Sequence, residues 1–191
     1  MKKLISLIAL LLLPIVANHA HGVTISSLTD GKVTSQINYY NPIGQTFQAE
    51  GTFLNSFAFY YTVLNGAMPN STITLSIYAG IGDGGALIGA ETFSLDAAHN
   101  GLHAVNFSSL GSVFTIGNQY SAMLTNTNSY WGIYRSNNGY ANGNAIEGGV
   151  AYESFDQRFS ATFSSVPDTG STAALLGAGV VALAFARRRL G

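Results

Sequence analysis

Phe53-Leu54-Asn55-Ser56-Phe57-Ala58-Phe59-Tyr60-Tyr61-Thr62-Val63 decides the fold. Phe53, Phe57, Phe59, Tyr61 and Val63 share one parity, and a period of two is that of a strand with one buried face. The pattern recurs along the chain. Ile73, Leu75 and Ile77 alternate with Thr72, Thr74 and Ser76. Val105 and Phe107 alternate with Asn106 and Ser108, then Tyr120, Ala122 and Leu124, then Phe159, Ala161 and Phe163. Between these runs stand turn-forming pairs: Asn65-Gly66, Pro69-Asn70, Asp83-Gly84-Gly85, Asn100-Gly101, Gly117-Asn118 and Asn142-Gly143. Strand-sized segments at this spacing predict an all-β antiparallel sandwich over residues 23–165, buried on one face of each sheet. The Asn- and Gly-rich stretch Ser136–Gly149 reads as the longest loop.

Composition narrows the possibilities. The chain has 191 residues, 22 of them Gly, and no Cys, which removes disulfide, zinc-thiolate and cysteine-nucleophile chemistry. Only 9% of residues are charged, against about 25% in ordinary globular proteins. Five of the eight basic residues lie at the two tips: Lys2, Lys3, Arg187, Arg188 and Arg189. Between Val23 and Ser165, three basic residues face eight acidic ones, a formal charge of −5. No basic patch is available for nucleic acid.

Both ends read as addresses. Lys2 and Lys3 precede the apolar run Leu4–Val16, and small residues follow in Ala17–Gly22. This is the layout of a secretory signal peptide over residues 1–22, with cleavage before Val23 or after Ala20. The apolar run falls short of the roughly 20 residues of a spanning helix, which argues against a retained anchor. At the other end Val166-Pro167-Asp168-Thr169-Gly170 leads into the unbroken apolar run Ala173–Ala186 and closes on Arg187-Arg188-Arg189. The run predicts a transmembrane helix over 173–186, its arginines held on the cytoplasmic side. From Gly170 to Ala186 a helix spans about 25 Å, short of the roughly 30 Å of a bilayer core. That length suits a transient anchor, with the 166–170 motif at the outer face.

This three-part tail, residues 166–191, resembles a PEP-CTERM sorting signal, and more narrowly its VPDSG-type variant. Val166-Pro167, Ser171-Thr172, Ala174-Leu175-Leu176-Gly177 and the terminal arginines carry the likeness. It implies an exported protein that an exosortase-type membrane enzyme processes, bound for the cell surface or the extracellular space. Asp168-Thr169-Gly170 departs from the Glu-Pro of the common motif, and Thr169 stands where the variant has Ser. The sequence also lies one residue from the LPXTG motif of sortases, with Val166 in place of Leu, so sortase-type anchoring is the second reading. Gly44-Gln45-Thr46-Phe47, Leu75-Ser76-Ile77-Tyr78, Val113–Tyr120, Trp131–Tyr134 and Gly148–Tyr152 together resemble a bacterial surface-protein jelly roll over residues 43–163. Related modules include carbohydrate-associated proteins, so a non-enzymatic adhesive or polysaccharide-associated body is expected.

Other chemistry is thin. No Gly-x-Ser-x-Gly elbow is present. His99 and His103 are four apart, but Asn100-Gly101 between them favours a turn over a helical metal pair. Asp83 in Gly82-Asp83-Gly84-Gly85 could ligate calcium, although a hairpin turn accounts for it; no other cofactor is implied. Glu50, Glu91, Asp96, Glu147, Glu153 and Asp156 could supply a glycosidase pair, the basis of a hydrolase alternative. Trp131, Tyr134, Arg135 and Tyr140, beside Asn137-Asn138 and Tyr39-Tyr40, are the candidates for sugar contact, since aromatic faces flanked by amides suit sugar rings. The competing reading places Trp131 in the core.

Overall fold

The computed structural model describes residues 22–29, 31, 33–64, 72–126 and 130–165. The expected leader up to His21, the Asn65-Gly66 and Pro69-Asn70 turns, and the whole tail with its 173–186 helix lie outside the described residues. Residues Gly22–Ser165 form one compact unit.

That unit is an all-β structure of two antiparallel sheets, consistent with the expected sandwich. In chain order the strands are β1 Val23–Ser27, β2 Thr34–Gln36, β3 Ile43–Gln48, β4 Phe53–Val63, β5 Thr72–Ala79, β6 Leu87–Ser94 and β7 Gly101–Asn106. They continue with β8 Gln119–Asn126, β9 Trp131–Asn137, β10 Ala145–Glu147, β11 Val150–Tyr152, β12 Phe155–Gln157 and β13 Phe159–Ser164. One sheet runs β1-β13-β4-β9-β12, with β2 paired to β9 and β7 to β4; the other runs β11-β10-β3-β8-β5-β6. The first and last strands pair in register, Val23 opposite Phe163.

Long-range register and alternation together make the core. Phe57, Phe59 and Tyr61 of β4, Phe159 and Phe163 of β13 and Trp131 of β9 are fully buried against Phe47, Ile43, Ile73, Leu75 and Ile77 of the opposite sheet. The rings interlock: Phe57 stacks on Phe159 at 5.5 Å and tilts against Phe47 at 5.2 Å. Such a pair adds about 0.5–1.5 kcal/mol beyond the apolar area it buries.

Two sequence expectations need correction. Phe53 does not share the buried face; Leu54 does. The β4–β13 register shifts between Thr162 and Phe163, so that Leu54 pairs with Phe163 while Ser56 pairs with Thr162. The extra residue on β4 is a β-bulge, which inverts the parity of everything before it. Ser136–Gly149 is also not one loop. Ser136 is buried within β9, and β10 and β11 form a hairpin around Gly148-Gly149. Both glycines have positive φ, 60° and 77°, which a two-residue hairpin turn of the primed type requires.

Candidate functional site

At one part of the interface between the sheets, polar side chains replace the aromatic filling. Gln45 (β3) and Glu147 (β10) come from one sheet; Ser35 (β2), Arg135 (β9), Asp156 and Gln157 (β12) come from the other. Ser35, Gln45, Asp156 and Gln157 are fully buried, and Glu147 is 4% exposed. A buried polar group is tolerated when hydrogen bonds replace its water, and here they do for both carboxylates, while Gln157 Oε1 has no partner among the described residues.

Asp156 accepts four hydrogen bonds. Oδ1 takes Gln45 Nε2 at 2.9 Å, and Oδ2 takes Ser27 Oγ at 3.0 Å, Gly139 N at 3.0 Å and Tyr140 N at 2.9 Å. Gln45 also accepts from Gln157 N through Oε1 at 2.8 Å, so one amide ties the two sheets. Glu147 is equally occupied. The Arg135 guanidinium grips it through both Nε, at 2.9 Å, and NH2, while Ser35 Oγ and Gln157 Nε2 donate to Oε1, the latter at 3.1 Å. Two-point binding of a carboxylate by arginine fixes geometry as well as charge.

A rim of aromatic residues surrounds the exposed side of Arg135. Its guanidinium lies 4.5 Å from the Phe155 ring centre and 5.9 Å from that of Tyr40. Tyr152 packs on Phe155 at 5.4 Å, and Tyr39 meets Tyr40 edge-on at 4.9 Å. Tyr39 is 76% exposed and Tyr152 39%. On another part of the first sheet Arg158 lies 4.0 Å from the Tyr60 ring, and Tyr60 meets Tyr134 edge-on at 5.3 Å.

The four residues expected to contact sugar are thus not assembled. Trp131 is fully buried and offers no face to solvent. Tyr140 is buried, its hydroxyl accepting from Gln48 N at 3.1 Å and its ring edge-on to Phe159 at 5.2 Å. Burial pushes its phenol above the usual range, with Glu50 and Asp156 adding to the shift and the Gln48 N–H opposing it. Tyr134 belongs to the Tyr60–Arg158 cluster, and Arg135 alone reaches the aromatic rim. Asn137 is exposed, and Asn138 Nδ2 donates to Glu153 O at 2.5 Å.

Of the six candidate carboxylates, Glu147 and Asp156 are the two taken up in this lattice, and Glu50 is half-buried. Glu147 and Asp156 hold their lone pairs in hydrogen bonds, whereas a glycosidase acid must carry a transferable proton and its partner must reach water or sugar. Glu91, Asp96 and Glu153 are exposed. Asp83 is exposed in the turn between β5 and β6, where Gly80 and Gly82 take φ of 80° and 78°. Among the described residues no group of three or more His, Asp or Glu side chains could hold a metal ion. No described helix is long and apolar enough to cross a membrane.

Sequence reasoning named Glu147, Asp156 and Arg135 without seeing that they form one lattice. Their signal was a charge beside buried positions, as in Ala145-Ile146-Glu147. Gln45 and Ser35 gave none beyond an amide or hydroxyl inside a strand.

Comparison with known proteins places the tail. The family described as VPDSG-CTERM motif matches residues 165–190. The chain therefore ends in a sorting domain of the PEP-CTERM type, which points to export and to the cell surface. No curated protein matches the chain. Among solved structures, the crystal structure of the infectious bursal disease virus VP2 subviral particle is similar at 13% identity and a TM-score of 0.34. The match covers 80% of this chain and 43% of that one, so the chain spans less than half its length. A likeness this slight says nothing about function.

Proposed function

We propose that the chain is an exported surface protein whose β body is a non-enzymatic module associated with extracellular polysaccharide. The match of the sorting motif to residues 165–190 carries the reading. In it, residues 1–22 direct export, the 173–186 run holds the chain in the membrane, and an exosortase-type enzyme processes it within Val166–Gly170. Arg187, Arg188 and Arg189 fix the orientation on the cytoplasmic side. The match to a VPDSG-type family supports this enzyme class over a sortase.

The body's role draws on the rim. Tyr39 and Tyr152 offer exposed rings packed on Tyr40 and Phe155, the two rings that face Arg135, and amphipathic aromatic residues suit a site with one apolar and one wet side. The saturated Glu147 and Asp156 support a body that binds rather than cleaves.

Two measurements test this. Deleting residues 166–191 should release the chain into the medium instead of retaining it at the envelope; unchanged distribution would refute sorting by the tail. Co-sedimentation with the host's own extracellular polysaccharide should fall severalfold in Tyr39→Ala/Tyr152→Ala. Equal sedimentation of variant and parent would remove the rim from the account.

A further inference from the structure

The seam between edge strands β6 and β7 holds the two histidines of the body. His103 on β7 pairs with Phe59 of β4, and Gly101 pairs with Tyr61, so His103 and Tyr61 share the inward face. His103 stacks on Phe93 of β6 at 4.7 Å. His99 closes the corner from the loop before β7. Its N–H donates to Asp96 O at 2.8 Å, and Asp96 Oδ1 accepts from Ala98 N at 2.9 Å, which together set the turn. The three ring centres form a near-equilateral triangle: His99–His103 5.8 Å, Tyr61–His103 6.3 Å and Tyr61–His99 6.5 Å.

Two details separate this cluster from ordinary aromatic packing. The Tyr61 hydroxyl is fully buried and has no hydrogen-bond partner among the described residues. Buried hydroxyls are rarely left so. The His99 Nε2 lies 3.1 Å from Gly101 O. With the proton on Nε2 that contact is a hydrogen bond, and it leaves the Nδ1 lone pair free. Metal-ligating histidines are commonly oriented in this way, the second ring nitrogen donating to a backbone carbonyl.

We infer that His99, His103 and Tyr61 form a binding site for one divalent transition-metal ion of the copper and zinc class. Imidazole suits these ions, which bind its nitrogen at about 2.0–2.1 Å. Two imidazoles sharing an ion then place their ring centres about 4.5–6.3 Å apart for ligand angles of about 90–180°, and the observed 5.8 Å lies within that span. On binding, the Tyr61 O–H loses its proton to solvent and the oxygen coordinates the ion; no electron is transferred. The ion supplies both the charge and the partner that the buried oxygen lacks. Calcium and magnesium, which prefer several carboxylate or carbonyl oxygens, do not fit the donor set.

The test is a Cu²⁺ titration of the untagged full chain after chelator treatment, read by absorbance and calorimetry. One equivalent beyond any held by the leader histidines should bind, with a phenolate-to-copper charge-transfer band in the visible region. His103→Gln should weaken that equivalent at least tenfold. Tyr61→Phe should abolish the band while leaving a weaker site. The leader histidines His19 and His21 are common to parent and variants, so the difference isolates the seam. Trp131 fluorescence checks folding, and if His103→Gln does not fold, His99→Gln takes its place. A visible band that survives the histidine substitutions, tight binding that depends on the seam histidines but carries no band, or equal tight binding by parent and variants would each overturn the site.

Discussion

Replacing Asp156 with alanine should cost the body about 4 kcal/mol. The figure follows from who would be stranded. The carboxylate is fully buried and accepts from Ser27, Gln45, Gly139 and Tyr140. Ser27 Oγ has an alternative in Ser136 Oγ at 3.0 Å, and Gln45 Nε2 keeps Thr46 O at 3.1 Å. The N–H groups of Gly139 and Tyr140 have no second acceptor among the described residues, and the backbone cannot rotate them away. The buried Tyr140 N–H left bare costs about 1–3 kcal/mol, the N–H of the exposed Gly139 costs less because water reaches it, and the small cavity adds to the sum. Against a total stability of about 5–15 kcal/mol, the variant should lose roughly 8–16 °C in Tm at about 2–4 °C per kcal/mol for a domain of this size. Asp156→Asn should lose about half as much, because its amide oxygen still accepts while its NH2 faces a donor. Urea unfolding followed by Trp131, the one tryptophan and fully buried, reads both variants. A loss below about 1 kcal/mol for the alanine variant would refute the reasoning, since other acceptors would then be serving the loop.

Further outcomes follow from the same structure. Glu147→Gln should cost about 2 kcal/mol, discounted from the usual 3–5 because Arg135 retains 26% exposure; a double-mutant cycle with Arg135→Met should recover more than half of it, and strict additivity would count against a coupled pair. Gly44→Ala should break the β3–β8 pairing, because its Cβ would lie 2.0 Å from Ala122 O; amide exchange in both strands should accelerate, and unchanged protection would contradict the close approach. The folded state holds His103 below its ordinary pKa of 6.5, so the unfolded chain binds more protons in the window beneath that value. Stability should therefore fall as the pH drops through 6.5 and level off below the folded value, and His103→Gln should flatten this limb of the stability profile.

The fold was legible where burial is one-sided. Phe57, Phe59 and Tyr61, or Phe159, Ala161 and Phe163, alternate because one face meets the core. It was less legible where the pattern depends on a partner. The bulge beside Asn55 arises from pairing with β13, about a hundred residues away in sequence, and no local signal in β4 announces it. β10 and β12 have three residues each, too few to show a period. The polar lattice was hidden for a different reason. Glu147 and Asp156 read only as two of six scattered carboxylates because composition cannot say which charges meet, and only the sheet-to-sheet register brings Gln45 to Asp156 and Arg135 to Glu147. The choice between the two readings of Trp131 turns on the same logic. Trp131 begins a strand whose next inward residue is Ile133, and that parity commits its ring to the core.

The sorting account stands or falls on the intact mass of the protein recovered from its native host, measured on the envelope fraction and on the medium. The account predicts a chain beginning at Val23, or at His21 if cleavage follows Ala20, and lacking everything beyond the Val166–Gly170 motif. A recovered chain that still carries Arg187, Arg188 and Arg189 would contradict it.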